Sequence, residues 1–129
     1  METESSVPVD VLVVEDHGDT ALSLAMLLHF WGHRVRVARD GPEALALAAE
    51  APPEVVLLDI GMPGMDGWEA ATRLRRLPGL DRALVVAVSG YGREDDRRHS
   101  HAAGCDLHLL KPVDPDVLLR LLQLRASGM

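Results

Sequence analysis

Three short runs of purely apolar residues punctuate the chain, with helical patterns between them. Val11-Leu12-Val13-Val14, Val55-Val56-Leu57-Leu58 and Leu84-Val85-Val86-Ala87-Val88 are rich in β-branched residues and too short for helices. They predict strands buried on both faces. Val35 and Val37 alternate with Arg34, Arg36 and Arg39, as in a strand nearer an edge, and Leu107-His108-Leu109-Leu110 predicts the last strand.

The intervening segments change period. Leu24, Leu27, Leu28 and Trp31 form one helical stripe, with Asp19 or Thr20 as N-cap and Gly32 as stop. Gly41-Pro42 opens a second helix running to about Glu50, and Pro52-Pro53 breaks it. The glycines and proline of segment 61–67 demand a loop, followed by a helix from about Trp68 to Arg76. Segment 94–103 is helical but holds no large aliphatic residue, so it is expected to be less firmly held. Asp114-Pro115 opens a final helix with Val117, Leu118, Leu121 and Leu122 on one face. Five strands interleaved with five helices predict a single α/β domain over residues 1–129, core about 9–124. Its sheet is parallel and covered on both faces.

Composition narrows the chemistry. The chain has 129 residues, 47% hydrophobic and 26% charged, which suits one globular domain and excludes a disordered tail. A single cysteine, Cys105, excludes a disulfide scaffold and suggests a reducing compartment. The net charge of −7, without a basic run, argues against direct nucleic-acid binding. No apolar stretch reaches the roughly 20 residues that span a bilayer. The first residues are acidic where a signal peptide would be basic, so a cytoplasmic location away from membranes is expected.

In open parallel sheets, ligands gather beyond the carboxyl ends of the strands. There the chain places Glu15-Asp16, Asp59, Ser89 and Lys111-Pro112. Three converging carboxylates repel one another, and a hard divalent cation relieves this; oxygen ligands suit Mg²⁺ better than zinc. With Lys111, the only lysine among thirteen basic residues, and the Ser89 hydroxyl, the rim is ready for an anion of phosphate type. Singly, each residue has a plainer reading: an acidic capping turn, a loop cap, a Ser-Gly turn, a surface lysine. Their joint placement at four strand ends is much harder to obtain by accident.

These residues, with Leu57-Leu58-Asp59-Ile60-Gly61-Met62-Pro63-Gly64-Met65-Asp66-Gly67, resemble the receiver domain of two-component response regulators, including receivers fused to hybrid histidine kinases. The resemblance runs from about Val9 to Leu124. It implies a doubly wound, flavodoxin-like sheet of strand order 2-1-3-4-5. It also implies a phosphoacceptor signalling domain that assists its own phosphorylation and dephosphorylation, rather than a conventional enzyme. Asp59 would take a phosphoryl group from a phosphohistidine of a sensor histidine kinase or histidine phosphotransfer protein. Asp16 and Asp59 would bind Mg²⁺ by side chain, Gly61 by its carbonyl and Glu15 through water. Ser89 and Lys111 would bond phosphoryl oxygens; the corresponding Lys-Pro bond is cis in many relatives, which would aim Lys111 into the site, and both isomers stay open for Lys111-Pro112 here. Ser89 and its loop would move toward the new charge and reset the adjacent helix and strand. Homodimer pairing through the last helices and strands follows from the resemblance alone.

The chain departs from the family in places. Glu15 replaces a commoner Asp, and Ser89 a frequent Thr. His108 occupies the position of the mobile aromatic switch residue, where a plain strand histidine is the simpler reading. Gly61 and Tyr91 stand at positions that influence dephosphorylation, and the bare Gly61 predicts slow loss of phosphate. The chief rival is a non-phosphorylated interaction module of the same fold. A haloacid-dehalogenase-type phosphatase would need an acid at Gly61, and a dinucleotide fold would need a glycine-rich turn where Glu15-Asp16-His17-Gly18 stands. No Gly-x-Ser-x-Gly elbow exists, and the six histidines and Cys105 have no zinc spacing. The chain ends soon after the last helix, as expected of a stand-alone receiver or one excised from a larger regulator.

Overall fold

The computed structural model describes residues 7–62, 65–90 and 94–128. The apolar runs form β1 (Asp10–Val14), β2 (Arg34–Ala38), β3 (Val55–Asp59), β4 (Leu84–Ser89) and β5 (Leu107–Leu110). Between and after them lie α1 (Gly18–Phe30), α2 (Gly41–Glu50), α3 (Gly67–Arg75), α4 (Glu94–Ala102) and α5 (Pro115–Ala126). All pairings are parallel, in the order β2-β1-β3-β4-β5. The chain winds outward from β1 to the β2 edge, then returns past β1 to β3. This reversal leaves the carboxyl ends of β1 and β3 side by side, with Val14 opposite Leu58.

The pleat divides the core into two layers. Leu12, Val14, Val56, Leu58, Val85 and Ala87 pack with Ala44, Ala48, Ala70 and Leu74 of α2 and α3. Val11, Val13, Val55, Leu57 and Val86 pack with Leu28 of α1 and Leu118, Leu121 and Leu122 of α5. Burying each valine or leucine among these contributes about 1.5–3 kcal/mol. The strand ends that carry the polar residues are therefore anchored in the most firmly packed part of the fold.

Local chemistry corrects two expectations. The α1 N-cap is His17, not Asp19 or Thr20: its Nδ1 accepts from the Thr20 N–H at 3.4 Å and lies 3.0 Å from Thr20 Oγ1. Asp19 instead lies inside the first turn, where a negative charge suits the helix dipole. Gly32 ends the turn after α1 with φ +95°, a conformation that a side chain would strain. On α5 the stripe 118, 121, 122 is buried, and Val117 is turned about 100° away and left 44% exposed. Among the described residues no helix is long and apolar enough to cross a membrane.

The lower end of the sheet is tied by Arg75. Its guanidinium donates to the carbonyls of Gly104 (2.8 Å), Leu80 (2.8 Å) and Ala83 (2.7 Å), and to Asp106 Oδ2. Asp106 in turn accepts from the Val85 N–H. One side chain thus holds the end of α3 to the starts of β4 and β5. Arg75→Met removes every donor while keeping much of the stem, and is expected to cost about 2–4 kcal/mol, since part-buried carbonyls lose charged partners. Urea unfolding of the two proteins checks this.

Candidate functional site

The central trio of strands brings Glu15 and Asp16 (after β1), Asp59 (end of β3) and Ser89 (end of β4) to the upper rim, because their apolar runs end there. Glu15 and Asp59 are buried, at 5% and 7% exposure, whereas Asp16 faces solvent. One carboxylate oxygen from each of Glu15, Asp16 and Asp59 lies within 4.8 Å of the other two. Two of the three acids therefore stay close together despite being buried, an arrangement that favours a bound cation.

Lys111 spans the cluster. Its Nζ donates to Asp59 Oδ2 at 3.0 Å and to Glu15 Oε1 at 3.2 Å. The backbone places it there: the Lys111 N–H bonds the Ser89 carbonyl at 2.8 Å, and the Lys111–Pro112 peptide is cis. The remaining carboxylate oxygens are held by main chain. Glu15 Oε2 accepts from the His17 N–H at 3.1 Å, and Asp59 Oδ1 from the Gly61 N–H at 2.9 Å. Burial pushes the Glu15 carboxyl above its usual range, and the Asp59 charge adds to this against the pull of the His17 N–H and Lys111. Burial alone would lower Lys111, but its bonds to, and attraction by, Asp59 and Glu15 outweigh it and leave the ammonium above its usual value.

A cleft of about 610 Å³ between α1 and the segment after β5 opens beside these groups, lined in part by Thr20, Leu24, Leu57 and Val113. Its walls are mostly apolar, with Asp19, Thr20 and Ser23 of α1 among them, and Glu15, Asp59 and Lys111 also line it. Cys105 is remote in character: it is buried, with its thiol pushed up to about 11, so it offers no thiolate nucleophile.

Of the residues singled out from the sequence, Glu15, Asp16, Asp59 and Lys111 come together, and Gly61 touches Asp59 through its N–H. Ser89 is buried at the end of β4, and its Oγ lies 2.8 Å from His108 Nε2. His108 is half-buried, and its Nδ1 is 2.9 Å from Ser100 Oγ. Tyr91 lies outside the described residues. Sequence reasoning did not single out Ser100 or Trp68, whose Nε1 donates to Ser100 Oγ at 3.0 Å. The one hint was the lack of any aliphatic anchor on α4. Among its described side chains Ser100, 1% exposed, is the buried one.

The chain is similar in sequence and structure to known proteins. The family model for the response regulator receiver domain matches residues 11–123. The protein PilH of Pseudomonas aeruginosa is 32% identical over 118 residues, which cover 92% of this chain and 98% of PilH. The structure of the chemotaxis protein CheY4 of Vibrio cholerae is similar with a TM-score of 0.86 at 29% identity, covering 91% of this chain and 98% of that one. A response regulator from Burkholderia pseudomallei, solved with a phosphorylated aspartic acid, a calcium ion and citrate, is similar with a TM-score of 0.80 at 28% identity. That match covers 92% of this chain and 68% of the other. With a family model spanning both sheet layers and every strand end of the rim, this chain belongs to the response regulator receiver domain family of two-component signalling.

Proposed function

We propose that Asp59 accepts a phosphoryl group from the phosphohistidine of a sensor histidine kinase or a histidine phosphotransfer protein, and that this modification switches protein contacts in the cytoplasm. The observation that carries the reading is the fixed Asp59 carboxylate, facing Lys111 and two further acids at the head of an open cleft. The cleft gives a donor imidazole room to approach. An Asp59 oxygen forms the new O–P bond as the donor's N–P bond breaks, and the electron pair leaves with the imidazole.

Glu15, Asp16 and Asp59, with the Gly61 carbonyl, would hold Mg²⁺. Three clustered carboxylate oxygens fit a hard divalent cation, and the similar Burkholderia protein carries calcium with its phosphorylated aspartate. When bound, the ion neutralises charge that would otherwise repel the incoming phosphoryl group. Lys111 moves its ammonium from the carboxylates to a phosphoryl oxygen, and Ser89 donates its hydroxyl to another. Acid cluster, ammonium and hydroxyl thereby assist both gain and loss of the group.

Intact mass after incubation with acetyl phosphate and Mg²⁺ tests this. One added phosphoryl group is expected on the native chain, and none on Asp59→Asn or in excess chelator. No adduct with any divalent metal, even under rapid sampling, would instead support a non-phosphorylated interaction module.

A further inference from the structure

α1 is apolar on both of its faces. Leu28 is buried in the core with Leu24 packed against it, while Leu22, Met26 and Phe30 are left 60%, 63% and 84% exposed. From Thr20 to Leu28 the helix carries no ionisable side chain, in a chain that is 26% charged. Each other helix shows charge to solvent: Glu43 on α2, Glu69 and Arg73 on α3, Arg97 on α4, Asp116 and Arg120 on α5. A helix apolar all round is ordinarily covered all round. Phe30 sharpens the point, because the chain's only phenylalanine is the most exposed large apolar residue among those described.

Gly18, Leu22, Met26 and Phe30 recur at every fourth position and form one ridge along the helix. The ridge is self-complementary under a two-fold axis. In an antiparallel pair whose axis passes midway between Leu22 and Met26, each Leu22 lies beside the partner's Met26, and each Phe30 reaches the partner's Gly18. That position has no side chain, so a ring fits against the backbone there. A Cβ added at Gly18 would stand 3.4 Å from an Arg39 guanidinium nitrogen, so a ring seated on Gly18 also meets a cation suited to its face. Charge favours this face as well. Two copies of net charge −7 repel in general, and α1 lets them meet without setting like charges opposite one another. The helix's single acid, Asp19, sits in its first turn, so an antiparallel pair holds the two aspartates at opposite ends.

We propose that the α1 ridge is a homodimer interface: a second copy of this chain packs antiparallel on Leu22 and Met26, with Phe30 of each copy seated on Gly18 and Arg39 of the other. Three side chains of this size offer on the order of 400 Å² of apolar surface per copy, so the pair is reversible rather than obligate, dissociating in the range of about 0.1–1 mM. This face is separate from the last helices and strands, through which the family resemblance implies pairing. The inference does not rest on the reading of Asp59 as acceptor.

Sedimentation equilibrium of the native chain across that concentration range tests it. The weight-average mass should climb from one copy toward two. Phe30→Ala and Met26→Glu should weaken the association by at least about tenfold, and Arg39→Gln by about two- to fivefold. All three positions are exposed, so the fold should survive, which a urea midpoint checks. Leu124→Glu, on the exposed side of α5, should leave the association unchanged. Cysteine variants fix the geometry. When Leu22→Cys and Met26→Cys chains are mixed and oxidised with diamide, the mixed disulfide should form faster than either self-disulfide, while buried Cys105 contributes none. A native chain that stays monomeric at about 1 mM would overturn the pairing and leave the ridge to a different protein or a lipid surface. Association lost in Leu124→Glu but kept in Phe30→Ala and Met26→Glu would also overturn it, as would a Leu22→Cys self-disulfide that forms fastest.

Discussion

Lys111→Ala is expected to slow phosphorylation of Asp59 by about 10²-fold, the usual cost of losing one preorganised donor aimed at developing charge. The ammonium already bonds the proposed nucleophile and Glu15, at 3.0 and 3.2 Å, so it needs no search to reach an oxygen attached to Asp59. Its backbone is fixed by the bond to Ser89 and its site lies against a low-dielectric core, which strengthens the interaction. Lys111→Arg should recover only part of the rate, because a planar guanidinium does not fit between two carboxylates as a compact ammonium does. The check is the rate of adduct accumulation from acetyl phosphate at fixed Mg²⁺. A rate within about threefold of the native one would remove Lys111 from the account.

Gly67→Ala carries the largest expected effect on stability, a loss of about 3 kcal/mol or more. A Cβ at Gly67 would stand 2.3 Å from Ile60 Cα, 2.8 Å from Ile60 Cβ and 3.0 Å from Ile60 C. Two of these atoms are backbone and cannot rotate away. Ile60 is pinned through its N–H to the Val88 carbonyl at 3.1 Å, directly after Asp59, so any relief displaces the end of β3. Gly90→Ala is the contrast: among the described residues nothing lies within 4 Å of its added Cβ, and a change within about 0.5 kcal/mol is expected. Denaturant midpoints of the two variants decide the matter, and equal midpoints would contradict the close packing of α3 on the loop after β3.

The fold was legible because strands buried on both faces leave an unambiguous apolar run. In a parallel sheet, the residue ending each run must lie at the same rim. That is why Glu15, Asp16, Asp59 and Lys111 could be grouped before any coordinates. Caps and helix faces were less legible. His17 caps α1 although histidine is a poor local signal beside Asp19 and Thr20. Val117 adjoins the buried stripe of α5 in sequence but not in direction, and sequence alone does not fix which way a helix turns. The contacts from Ser89 through His108 and Ser100 to Trp68 were invisible for a different reason. Their members are 19, 8 and 32 residues apart along the chain, and only the packing of α3, α4, β4 and β5 brings them within bonding distance.

The central claim is that Asp59 itself carries the phosphoryl group. Borohydride reduction of the acetyl phosphate-treated protein, followed by peptide mapping, tests it most directly, since an aspartyl phosphate is reduced to homoserine whereas a free carboxylate is untouched. Homoserine at position 59, dependent on Mg²⁺, is the predicted result. An unreduced Asp59 with homoserine at position 16, or at any other acid, would contradict it.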